Sequence, residues 1–77
     1  MPTVLTERGF RLMIYTEDHP PAHVHVLRSG ATVIIEFDGP PTIRRSNGMR
    51  TRDIAIAKAL VEDNLDYLRD EWRRIHG

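Results

Sequence analysis

The sequence predicts an α+β domain: a small antiparallel sheet of three or four strands packed by one long carboxyl-terminal helix, in the order β-β-β-α. Three observations predict it. Apolar and polar residues alternate from Phe10 to Tyr15, the period of a half-buried strand. Two β-rich runs, His23 to Arg28 and Ala31 to Phe37, flank Ser29-Gly30, the signal of a tight hairpin. Finally, Ile54, Ala57, Val61, Leu65, Leu68, Trp72 and Ile75 recur at spacings of three and four, with no Pro or Gly between them.

Taken in order, Thr3-Val4-Leu5 reads as a short extra strand or a lead-in, and Glu7-Arg8-Gly9 as a turn. Phe10, Leu12 and Ile14 then share one face of a strand. Glu17 to Ala22 holds two consecutive prolines, each of which restricts its own φ and the residue before it, so a stiff, extended connector is expected. With Ser29 and Gly30 as the two loop residues, the hairpin register follows: Arg28 faces Ala31, Val26 faces Val33, His25 faces Ile34, Val24 faces Ile35, and His23 faces Glu36. That register places Val24, Val26, Val33, Ile35 and Phe37 on an inward face, and His23, His25, Thr32, Ile34 and Glu36 on a solvent face. Asp38-Gly39-Pro40-Pro41 ends the sheet, and Pro40 to Arg50 reads as the longest irregular and most mobile stretch. Thr51 is the expected helix N-cap, with Asp53 in the first turn and Arg73, Arg74 and His76 in the last, where each charge suits the dipole. The helix would run about 35 Å, unless it breaks near Asn64.

A chain of 77 residues has room for a single domain and no second core. With Cys 0 there is no disulfide framework, no thiolate metal site and no thiol nucleophile. Eleven basic and eleven acidic residues cancel, so whole-chain attraction to nucleic acid or anionic lipid has no support. The balance hides a local excess: Pro40 to Arg52 holds Arg44, Arg45, Arg50 and Arg52 and no acid. No apolar run approaches the roughly 20 residues that span a bilayer, and the amino terminus lacks the pattern of a signal peptide, so a cytoplasmic protein with no membrane partner is expected.

The chemistry concentrates in Asp18-His19-Pro20-Pro21-Ala22-His23-Val24-His25. His23 and His25 project from one side of a strand, His19 precedes the prolines, and Glu36 is the expected cross-strand neighbour that orients His23. His19, His23 and His25 are a ligand set for zinc or another first-row divalent metal. Alternatively His23 and His25, with Glu36, supply general acid and base. The plainer alternative has half-exposed strand histidines and a turn-capping His19. Arg44, Arg45, Arg50 and Arg52 either clamp phosphates or a partner, or line a solvated loop. Trp72 belongs to the apolar stripe and is expected in the core. There is no phosphate-binding glycine loop, no serine elbow and no HExxH.

At these residues the chain resembles a small bacterial family of unknown function, DUF4160, marked by Asp-His-x-Pro-Pro-His-x-His-Val. The matching positions are Asp18, His19, Pro21, His23, His25 and Val26; Ala22 stands where the family has its second proline, and Pro20 occupies the variable position. The likeness extends to the opening Met1-Pro2-Thr3-Val4, the glycine hairpin, and the closing helix through Leu65, Leu68 and Trp72. It implies a small protein encoded beside another, in pairs that look like toxin–antitoxin modules, with Asp18, His19, Pro21, His23 and His25 as a functional surface. The expected function is therefore an interaction protein with that partner. A metal- or histidine-dependent nuclease and a nucleic-acid-binding regulator are the alternatives. A homo-oligomer would also compensate for the small core.

Overall fold

A computed structural model describes residues 2–77; Met1, part of the opening that resembles the family, lies outside the described residues. Five strands, β1 (Thr3–Glu7), β2 (Phe10–Met13), β3 (His23–Arg28), β4 (Ala31–Glu36) and β5 (Thr42–Asn47), precede two helices, α1 (Thr51–Asp63) and α2 (Leu65–His76). The strands form one antiparallel meander in the order β1-β2-β3-β4-β5. The α+β class holds. The sheet has five strands rather than three or four, and the long helix is two.

Two-residue turns set two hairpins of the meander. Arg8-Gly9 joins β1 to β2 and Ser29-Gly30 joins β3 to β4; all four residues have positive φ, 54° and 81° in the first turn and 48° and 82° in the second. That twist matches the right-handed twist of the flanking strands. The β3–β4 register is the one expected, from Arg28 opposite Ala31 through His23 opposite Glu36. Its inward residues Val24, Val26, Val33, Ile35 and Phe37 are fully buried, together with Phe10, Leu12 and Ile14 of the β2 segment. The β2–β3 pairing keeps this phase, because Leu12 sits opposite Val26.

β5 overturns the expectation of a mobile stretch from Pro40 to Arg50. Thr42–Asn47 pairs with β4 from Glu36 to Val33, with a register shift between Ile34 and Ile35. Every residue of β5 is exposed, so its sequence carries no apolar alternation to betray it. Backbone hydrogen bonds to β4 define it, with Arg44 also paired to Glu36.

The helices cover the inward face. Ala57, Leu60 and Val61 of α1 and Leu68 of α2 enter the core, with Ile54, Leu65, Trp72 and Ile75 packed against it. The periodic stripe is thus used in full, but along two axes. At Asn64 the backbone leaves the helical region (φ −117°, ψ 24°). Its side-chain amide donates to the Leu60 carbonyl at 2.8 Å, and its backbone N–H donates to the carbonyls of Leu60 and Val61. A short amide side chain that satisfies the end of one helix competes with continuing it. The N-cap of α1 is Arg50 rather than Thr51, without a side-chain capping bond, while Asp53 does lie in the first turn. Among the described residues, no helix is long and apolar enough to cross a membrane.

Candidate functional site

The segment between β2 and β3 folds back on itself. The Asp18 N–H donates to the Tyr15 carbonyl at 3.1 Å, and the Tyr15 N–H donates to Asp18 Oδ2 at 2.9 Å. This reciprocal pair carries the Asp18 carboxylate under the first residues of β3. The connector that follows contains a cis peptide bond between Pro20 and Pro21. His23 Nδ1 donates to the Pro21 carbonyl at 2.9 Å, so the ring orientation is set by the proline segment before it.

Asp18 Oδ1 faces both imidazoles, 3.4 Å from His23 Nε2 and 3.3 Å from His25 Nε2. The two rings lie 5.3 Å apart, centroid to centroid, as expected for alternate residues on one side of a strand. The ring of Tyr15 packs edge-on against His25 at 4.8 Å. The expectation that both histidines stand on a wet face is corrected. His25 retains partial exposure, but His23 is only 5% exposed. Trp72 is the reason: its ring lies 5.5 Å from His23 and 6.2 Å from Phe37, so it touches an inward and an outward residue at the same end of the sheet. His76 in turn stacks on Trp72 at 3.9 Å.

Burial pushes the Asp18 carboxyl up, but it is outweighed by the Tyr15 N–H, the His25 hydrogen bond and the nearby charges of His25 and His23, which together hold it below the ordinary carboxylate range. Asp18 is therefore an anion at neutral pH, locked in place beside two imidazoles. Asp18, His23 and His25 each offer one donor atom within 4.8 Å of the others, and among the described residues they are the set able to converge on one metal ion.

The other expected site residues are placed differently. His19 and Pro21 are exposed, and His19 stands outside the cluster, where Asp18 takes the third position. Glu36 is the cross-strand neighbour of His23, but its carboxylate pairs with Arg44 Nε at 3.5 Å and the histidine partner is Asp18 instead. The four arginines do not form one clamp. Arg45 lines a shallow groove on the outer face of the sheet with Tyr15, His25, Leu27 and Ile34, of about 290 Å³. Arg50 and Arg52 lie with Arg8, Arg28 and Asp53 around a separate cleft of about 320 Å³.

Tyr15 and Trp72 are site residues that sequence reasoning did not assign there. Tyr15 carries a signal, since its phase opposite Ile14 predicts the outer face. The contact between Trp72 and His23 joins positions far apart in the chain, and no periodicity announces it.

Residues 9–73 match the family described as Domain of unknown function (DUF4160). No curated protein and no solved structure matches the chain.

Proposed function

The chain belongs to the DUF4160 family, and we propose that it is a small interaction protein, one component of a two-protein, toxin–antitoxin-like module that docks its partner on the open face of the sheet. One observation carries this reading. The helices pack on the inward face, while the outer face presents the groove between Tyr15, His25, Leu27, Ile34 and Arg45. Beside it β5 is exposed at all six positions and paired on one edge. An unpaired strand edge is a template for a partner strand, and alternate side chains of that strand can enter the adjoining groove. Arg45, on the groove, selects for acidic residues on the incoming chain.

Co-expression with the small protein encoded alongside tests the reading. A stoichiometric complex is expected, lost with Ile34→Asp and weakened at least about tenfold with Arg45→Glu, on the scale of a central interface residue. No complex with that protein, or one indifferent to both substitutions, overturns it.

A histidine-dependent nuclease is favoured by one specific feature, the placement of His25 and Arg45 on the same groove. An imidazole for proton transfer and a guanidinium for phosphate are complementary parts of phosphodiester cleavage. Growth arrest on expression, relieved equally by His25→Ala and Arg45→Ala, would support this second reading; unchanged growth would remove it.

A further inference from the structure

We propose that Asp18, His23 and His25 form a binding site for one divalent first-row cation of the zinc class, independent of any protein partner. The imidazoles themselves supply the first reason. His23 Nδ1 faces the Pro21 carbonyl, which can only accept, so Nδ1 carries the proton. In the neutral ring Nε2 is then a bare lone pair. It points at Asp18 Oδ1, a second acceptor, across 3.4 Å and almost sealed from solvent. Two acceptors held face to face in a dry site repel one another unless positive charge lies between them, either a second proton on the ring or a bound cation. A cation that both can ligate resolves the conflict.

Distance supplies the second reason. The two contacts of Asp18 Oδ1, 3.4 Å to His23 and 3.3 Å to His25, exceed the about 2.7–2.9 Å of a charge-assisted hydrogen bond. They match the edge of a tetrahedron: metal–ligand bonds of about 2.0–2.1 Å place neighbouring donors about 3.3–3.4 Å apart. The three donor atoms lie within 4.8 Å of one another, so the two edges at Asp18 already have this length and the His23–His25 edge closes on an ion by a small turn of the rings.

The outer shell supplies the third. A metal-bound histidine usually gives its other ring N–H to a backbone carbonyl or a carboxylate, and a ligating carboxylate is itself hydrogen-bonded. Here His23 gives Nδ1–H to Pro21, and Asp18 Oδ2 receives the Tyr15 N–H. Trp72 and the edge of Tyr15 form the dry wall of the site. Two nitrogens and one carboxylate oxygen suit zinc, and three protein donors leave one tetrahedral position for water.

The test uses untagged protein stripped with a chelator and then titrated with Co²⁺ or Zn²⁺ alone. Co²⁺ is expected to bind in a 1:1 ratio with the visible absorption of a tetrahedral ion, and to quench the emission of Trp72, the single tryptophan. Saturating Zn²⁺ should raise Tm on the order of 10 °C at about a hundredfold excess over Kd. His25→Ala and Asp18→Asn, at positions that keep some solvent exposure and so leave the core intact, should weaken binding by more than about a hundredfold. His19→Ala, outside the cluster, should bind as the parent does. Absence of 1:1 binding, retention of binding in His25→Ala, or equal loss in His19→Ala overturns the proposal. So does nuclear magnetic resonance showing a doubly protonated His23 ring at pH 7 that Zn²⁺ does not displace.

Discussion

The indole of Trp72 and the imidazole of His23 lie 5.5 Å apart, centroid to centroid, and this contact is what removes His23 from solvent. The same indole meets Phe37, so it joins the candidate site to the core. Trp72→Ala should cost about 2–4 kcal/mol, somewhat less than a fully buried aromatic. Urea unfolding followed by circular dichroism measures it. Trp72→Phe should recover most of that loss, and a cost below about 0.5 kcal/mol for the alanine would show that the contact does not stabilise the fold.

Asp18 makes a signed pH prediction for the ion-free protein. Its folded pKa lies below the ordinary 3.8, so its contribution to stability is full above that value and is lost as pH falls through the depressed one. The difference in stability between the parent and Asp18→Asn should shrink on acidification below about pH 4. A difference that fails to shrink below about pH 4 would contradict the assignment. Acid unfolding of the two proteins in parallel decides it.

The two turn glycines should respond unequally. Both have positive φ, where a side chain costs about 1–2 kcal/mol. A Cβ on Gly30 meets open space, whereas one on Gly9 lies 2.5 Å from Arg28 Nη1, which also donates to the Arg8 carbonyl. Gly9→Ala should therefore be the more destabilising, and adding Arg28→Ala should shrink its excess over Gly30→Ala. Thermal melts of the three variants and the double variant measure the coupling.

Burial separates the sheet centre from its edge. Leu12→Ala, at a fully buried position opposite Val26, should cost about 2–5 kcal/mol. Ile43→Ala on β5, 36% exposed, should cost less than about 1 kcal/mol. Equal costs would contradict the exposed placement of β5.

How much of this was legible in the residues follows from what each feature depends on. The β3–β4 register could be read because Ser29-Gly30 sets the phase and a slip of one residue would turn Val24, Val26, Val33 and Ile35 outward. The helical stripe from Ile54 to Ile75 was legible for the same reason, being a period enforced by burial. β5 was not, because an exposed edge strand is held by main-chain bonds that any sequence can make. The division at Asn64 was open because the stripe continues across it unbroken. At the site, the histidine pair was legible from its spacing on a strand, but its carboxylate was not: Asp18 completes the cluster in place of His19 and Glu36 because the turn at Tyr15 folds it back, and the burial of His23 depends on Trp72, which only the tertiary fold brings near.

The order β1-β2-β3-β4-β5 means that each strand meets the one made just before it. Such a sheet can zip hairpin by hairpin with little loop entropy lost at each step, the circumstance that makes small domains fold quickly. The distant closures are left to α2, whose Tyr67 hydroxyl donates to the Val4 carbonyl and whose Arg69 donates to the Phe37 carbonyl. The carboxyl-terminal helix thus works as a clasp that ties the first strand to the end of the fourth, and through Trp72 it closes the dry side of the histidine cluster.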